Sequence, residues 1–273
     1  MRGVGRLLVA LAISTGVVTG GGEAGGHSGG LDANGGHHCR EAGYASGACG
    51  PLDSYHTHSG SDSSGGGAGA TASYRPAPLA NSGRAMRARA MLHRLDRRRE
   101  VRAGSYSRTA FRHWVDANDD GCDTRQAVLI SESRVRAART AACTVTRGAW
   151  MSAYDGRRWI DPSDLDVDHV VALKEAWRSG AHAWSPRERR RFANDLRFRP
   201  ALRAVTDNVN QSKGDRDPAE WLPPRARCRY AITWVQVKHR WRLRIDRAEE
   251  RALAAVLDGD CGARVIKVPR RAR

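Results

Sequence analysis

Lysine is nearly missing from this chain: four of its 46 basic residues are Lys (Lys174, Lys213, Lys238 and Lys267) and the rest are Arg. Such an Arg excess is also a mark of a GC-rich genome. The formal net charge of +17 and the pI of about 10.7 support a polyanionic partner such as nucleic acid. No C-x-x-C occurs among the six cysteines, which argues against a zinc ribbon. Beyond the N-terminal segment, no stretch approaches the ~20 apolar residues of a membrane-spanning helix. Nothing resembles a helix-turn-helix or another major-groove reader, so low sequence specificity is expected of any nucleic-acid binding.

The N-terminus reads as a secretory signal. Arg2 and Arg6 precede an apolar run over 7–18, too short for a membrane span, and small residues follow through 20–26 without a clean A-x-A cleavage site. The expected product is secreted, with no stable membrane association after signal removal. Cys39, Cys49, Cys122, Cys143, Cys228 and Cys261 agree with export. Six cysteines allow ~15 pairings; proximity in the sequence suggests Cys39–Cys49, Cys122–Cys143 and Cys228–Cys261.

Four segments are expected: a signal over 1–26, a Gly/Ser/His-rich arm and linker over 27–82, a globular domain over 83–262, and a basic tail over 263–273. His37, His38 and Cys39, with His56 and His58, read either as a metal-binding cluster or as low-complexity histidine in an unstructured arm. Met86, Ala90, Met91 and Leu95 suggest a helix. Asp116-Ala117-Asn118-Asp119-Asp120-Gly121 matches the first half of a calcium loop. Its twelfth position is Ala127, where a bidentate Glu is needed, and the alternative is an Asx-type turn. Short strands are expected near 143–146 and 149–152, and another before Asp168. Helices are expected over 174–179, over 186–193 behind a Ser185/Glu188 capping box, through Tyr230, Trp234, Val237 and Trp241, and from Asp246 to near Gly259 with Glu249 as capping partner.

The chemistry concentrates in 165–221. Asp168-His169 sits within the apolar run 165–173, Asn194 follows, and then Asn208-Val209-Asn210-Gln211-Ser212-Lys213-Gly214-Asp215. Phosphodiester hydrolysis needs an activated water and neutralised phosphate charge. Asp168 and Asn210 offer oxygen donors, which suits one divalent ion such as Mg²⁺ or Mn²⁺. His169 can accept a proton near neutral pH. Asn194 can orient the imidazole by a direct hydrogen bond. Lys213, one helical turn past Asn210, can hold a phosphate oxygen, so Lys213→Ala would flatten the salt dependence of binding. Asn208 is a secondary candidate with the ordinary role of a turn or cap. Neighbouring strand residues point to opposite faces, so Asp168 and His169 are expected at a strand end or bulge, where both can approach one phosphate.

These residues resemble the HNH (His-Me finger, ββα-metal) endonuclease superfamily. The chain is similar in particular to exported actinobacterial HNH proteins related to the C-terminal nuclease domain of GmrSD restriction enzymes. The segments that carry the likeness are Gly121-Cys122-Asp123-Thr124-Arg125, Tyr154-Asp155-Gly156, Asp168-His169-Val170-Val171-Ala172-Leu173, Phe192-Ala193-Asn194-Asp195-Leu196, Asn208 through Asp215, and Pro218-Ala219-Glu220-Trp221. The resemblance implies His169 as general base, Asp168 and Asn210 as metal ligands and Asn194 as the middle Asn of the motif. It also implies products with 5′-phosphate and 3′-hydroxyl ends. Asn210 stands where the third motif letter is His, which argues against tight zinc binding. Phe198-Arg199-Pro200 departs from the family pattern.

The expected fold is α+β, a mostly helical domain around a ββα-metal finger and stapled by disulfides. The expected function is a secreted, monomeric, metal-dependent endonuclease that acts on DNA in preference to RNA. The alternative is a non-catalytic basic protein that coats extracellular DNA or an anionic wall polymer.

Overall fold

The computed structural model describes residues 81–272, together with Tyr74 and two short strands nearer the N-terminus. The chain divides into two units, residues 1–62 and 63–273. The described part of the first is an antiparallel pair, β1 (Gly36–His38) and β2 (Tyr55–Thr57), whose register sets His37 opposite His56. The signal segment, Cys39, Cys49, His58 and the linker over 59–73 lie outside the described residues.

The second unit is α+β, with helices interleaved among short antiparallel strand pairs. It opens with β3 (Asn81–Arg87), α1 (Ala88–Leu92) and α2 (Thr124–Glu132). The short strands β4 (Ala138–Arg139), β5 (Val145–Arg147), β6 (Trp150–Met151) and β7 (Arg158–Trp159) follow. Next come β8 (Leu165–His169), α3 (Leu173–Arg178), α4 (Pro186–Ala193), β9 (Leu202–Thr206) and α5 (Asp207–Lys213). The chain ends with α6 (Arg227–Trp241), α7 (Arg247–Asp258) and β10 (Val265–Pro269). Strands pair as β3–β10, β4–β5, β6–β7 and β8–β9. Among the described residues, no helix is long and apolar enough to cross a membrane.

Local chemistry explains three of the seven α-helix starts among the described residues. Asp123 caps α2 by accepting from Gln126 N, which satisfies one of the orphan amides of the first turn. Ser185 and Glu188 form the reciprocal capping box of α4, with Pro186 in the first turn. Asp246 caps α7, but Glu249 does not reach back to complete a box: it is fully buried and turned toward Lys238.

The start of the unit differs from expectation. Met86 lies in β3, and only 88–92 is helical. β3 pairs with β10 in a register that sets Ile266 opposite Met86. That partner comes from residues read as a basic tail after Gly262. In β10, Ile266 and Val268 are buried while Val265 and Lys267 face out. Two buried apolar positions at strand spacing supply the pairing that overrides the helical pattern at Met86.

Two apolar clusters hold the unit. The larger surrounds α6, whose Tyr230, Trp234, Val237 and Trp241 pack with Met91, Leu92, Trp177, Phe192, Leu253 and Leu257. The four-three-four aromatic repeat is therefore core. The smaller joins Val128 and Leu129 of α2 to Val145, Trp150, Leu165, Val167, Leu202 and Ala204. One face of β8–β9 closes this second cluster, while Val205 points into the first, so the pair is held from both sides.

Two disulfides brace this arrangement. Cys122–Cys143 ties the entry of α2 to the turn before β5, and Cys228–Cys261 ties the start of α6 to the end of α7, with Cα–Cα distances of 5.2 and 5.1 Å. Replacing Cys122 and Cys143 together by Ser is expected to cost about 3 kcal/mol through regained unfolded-chain entropy. Urea melts of the double variant against the oxidised protein read that loss; an unchanged midpoint would remove the bridge from the stability account.

Candidate active site

The order β8–β9–α5 brings together residues some 40 positions apart in sequence. The β8–β9 register runs without interruption from Leu165↔Thr206 through Asp168↔Arg203 to His169↔Leu202. Side chains therefore alternate along β8. Leu165, Val167 and His169 share one face; Asp166 and Asp168 share the other. His169 is the last strand residue, as expected, but there is no bulge, and Asp168 and His169 keep opposite faces. They are linked through Lys213, whose Nζ donates to Asp168 Oδ1 at 3.0 Å and to the His169 carbonyl at 3.1 Å.

On the acidic face Asp168 is buried between Lys213 and Tyr154, whose hydroxyl donates to Asp168 Oδ2. Burial raises the Asp168 pKa above the ordinary carboxylate value, and the ammonium of Lys213 opposes that shift. Burial and the negative charge of Asp168 push the Tyr154 hydroxyl well upward, so it keeps its proton and donates. One strand step away, Asp166 Oδ2 accepts from Asn210 Nδ2 at 3.0 Å. The Asp166 pKa is also raised by burial; the Asn210 bond opposes this, and the charges of Asp207 and Asp168 reinforce it. Lys213 is 0% exposed. The expectation that it reaches a phosphate oxygen is corrected: its ammonium is consumed by Asp168 and a carbonyl. Asn208 is exposed on the first turn of α5, away from this cluster.

On the other face His169 Nε2 lies 2.8 Å from the Ala193 carbonyl oxygen. A carbonyl only accepts, so Nε2 carries the hydrogen and Nδ1 keeps the basic lone pair. The ring lies nearly parallel to Trp114 at 5.2 Å and to Phe192 at 6.4 Å. Burial lowers its pKa to about 3, helped by the positive charge of Arg108. Asn194 does not touch the imidazole, contrary to expectation. Its Nδ2 donates to the carbonyls of Arg112 and Arg190, and its Oδ1 accepts from Val115 N. The Arg190 bond satisfies a carbonyl left open where α4 ends. The other two clamp 112–115, where Arg112 and Trp114 hold left-handed φ of 43° and 55°. Asp195 is fastened to α6 by Arg240 Nε at 2.6 Å, Arg240 Nη2 at 3.0 Å and Trp241 Nε1 at 2.9 Å. Asn194-Asp195 thus anchors the Ala193 carbonyl that orients His169.

Three residues around the site, Asp166, Tyr154 and Trp114, carry no role that the linear motif assigns. Asp166 had a usable signal, the period-2 spacing from Asp168. Tyr154 sat in a matched segment but had no assigned role. Trp114, far upstream, had no signal. The Asp116 loop is an Asx turn: Asp116 accepts from the amides of Asn118, Asp120 and Gly121, with Gly121 at φ +80°. A second acidic group, Glu100, Glu175 and Glu249, lies within 4.8 Å of itself but already holds cations. Lys238 Nζ sits 2.8 Å from Glu175 and 2.6 Å from Glu249, and Arg178 contacts Glu100 and Glu175 at 3.1 and 3.2 Å.

Residues 123–256 match the family model described as GmrSD restriction endonucleases, C-terminal domain. A protein of Arthroderma benhamiae named "Uncharacterized secreted protein" is 41% identical over 188 residues, covering 67% of this chain and 91% of that protein. No solved structure matches.

Proposed function

The chain belongs to the family of GmrSD restriction endonuclease C-terminal domains, and on that premise we propose that it is a secreted, metal-dependent endonuclease of low sequence specificity. The observation that carries this reading is the convergence of Asp166, Asp168 and Asn210 where α5 meets one face of β8, with His169 adjacent in the strand. The donor set fits a hard divalent ion. Two carboxylates and an amide supply oxygen and no thiol takes part; burial raises Asp166, a cost that a cation would offset, whereas at Asp168 the Lys213 ammonium already supplies part of that charge. Asp166, Asp168 and Asn210 would hold Mg²⁺ or Mn²⁺. Such an ion, when bound, neutralises phosphate charge and stabilises the leaving oxygen.

The remaining work falls to the chain's own groups. His169 ends β8 on the face opposite Asp166 and Asp168, so a phosphate spanning the strand end would let Nδ1, the nitrogen not committed to Ala193, take a proton from the attacking water. Lys213 and Tyr154 keep Asp168 ionised and oriented. Nucleic acid is the substrate class favoured by the +17 charge, which does not separate DNA from RNA, and 5′-phosphate and 3′-hydroxyl ends are the expected products. Secretion agrees with the apolar N-terminal segment and with the name of the Arthroderma relative.

The test is digestion of supercoiled plasmid and of single-stranded RNA with Mg²⁺, with Mn²⁺ and with EDTA, beside Asp166→Asn. Cutting that needs metal and falls on the order of 10²-fold in the variant supports the reading. A gel shift with no cutting under any metal would replace it with the non-catalytic binding protein.

A further inference from the structure

We propose that a cleft between residues 97–99 and the start of α7 docks the phosphate backbone of a nucleic acid. The cleft has a volume of about 720 Å³ and is lined by Arg97, Arg98, Arg99, Arg247 and Arg251. All five are exposed. Backbone pairing builds it. Ile245 N donates to the Asp96 carbonyl at 2.9 Å, and Arg98 N donates to the Ile245 carbonyl at 3.0 Å. This short parallel pairing lays three consecutive arginines beside the first turns of α7. Arg247 and Arg251, four apart, project from one face of that helix.

The charge balance points to a ligand. Arg97 reaches Glu250 at 3.3 Å and Arg98 reaches Asp96 at 3.2 Å. Among the described residues, Arg99, Arg247 and Arg251 have no carboxylate within ion-pair distance. Asp246, the acidic residue in the wall, is engaged as the cap of α7, accepting from Ala248 N at 2.8 Å and Glu249 N at 2.9 Å. The open positive charge therefore belongs to guanidinium groups and not to a helix end. Gathering three such groups without carboxylate partners beside two paired ones in one concavity is unfavourable unless a polyanion neutralises them. Guanidinium is the side chain whose planar donor fork matches phosphate oxygens.

The cleft shares a frame with the proposed catalytic site. Val101 N donates to the Arg178 carbonyl at 3.1 Å and Arg244 N to the Ser179 carbonyl at 2.8 Å, so both walls are fastened to the end of α3. Arg178 in turn pairs with Asp215 at 2.8 Å, two residues past Lys213. The inference rests on the nucleic-acid reading for the identity of the polyanion; its test is independent of cleavage.

Binding of a fluorescent DNA duplex is measured by anisotropy in EDTA across a salt series. The full chain is compared with Arg99→Ala/Arg247→Ala/Arg251→Ala. A control of equal charge loss, Arg136→Ala/Arg147→Ala/Arg187→Ala, removes exposed arginines elsewhere. The cleft variant is expected to lose about 0.9 of log–log salt slope per phosphate contact and to bind on the order of 10²-fold more weakly near physiological salt. The control should stay near wild type. Replacing the same three cleft arginines by Lys should retain the slope, which separates lost charge from lost folding. Equal weakening of both Ala triples, or wild-type binding by the cleft triple, overturns the proposal. Wild-type protein that binds through the cleft without ever cutting would sink the nuclease reading and leave the cleft standing. Cutting that survives beside an inert cleft would do the reverse.

Discussion

His169→Ala is expected to lower turnover on plasmid DNA by a factor on the order of 10² to 10⁴, the usual worth of a positioned general base. Binding measured in EDTA should be unchanged, because the imidazole carries no charge at neutral pH. Its pKa of about 3 lies below the ordinary histidine value, chiefly through burial. The acid limb of the rate that belongs to this group should accordingly fall near 3 and not near 6.5. The sign of the linked stability follows from the same shift. Between the two values the unfolded chain binds the proton and the folded chain does not, so this contribution is complete above pH 6.5 and is lost as pH falls toward 3. A rate profile with an inflection at 6.5 that disappears in His169→Ala would show that the base works from an exposed imidazole, with Trp114 moved aside. Wild-type turnover in the variant would remove His169 from the chemistry.

Lys213→Met is expected to destabilise the fold by roughly 3–5 kcal/mol, the cost of stranding a buried charge. Lys213 is wholly enclosed, and its ammonium neutralises Asp168, whose side chain is 8% exposed. Removing it leaves that carboxylate with only Tyr154 as donor. Urea melts measure the loss. Pairing Lys213→Met with Asp168→Asn should recover much of it, since no buried charge then remains. The salt slope of DNA binding should not move in the single variant, because the side chain does not face solvent. A slope reduced by about one unit with stability intact would restore Lys213 as a phosphate contact.

Helices with their own local signals were legible from the chain. The Ser185/Glu188 box, the Asp246 cap and the aromatic repeat of α6 each encode a start or a buried face within a few residues. Two disulfide pairings were legible for the same reason, since both partners lie close in sequence. Met86 was misassigned because its neighbour in space, Ile266, is 180 positions away. Local periodicity carries no record of a strand supplied by the other end of the domain.

The candidate site divides along the same line. Asp168, His169, Asn194, Asn210 and Lys213 could be named from residue type and order, because the groups able to hold a hard ion or accept a proton are few and chemically distinct. Secretion, the α+β class and the family likeness also lay in the linear chain. What each residue does with its charge was decided by packing. Burial turned Lys213 from a surface cation into the counter-ion of Asp168 and made His169 a neutral imidazole. The fold gave the orienting bond to the Ala193 carbonyl and set Asn194 to clamping Arg112 and Val115. It also brought Asp166 up to Asn210 and gathered Arg97–Arg99 beside Arg247 and Arg251. Desolvation and through-space charge depend on distance in three dimensions, and that distance exists only once the chain has folded.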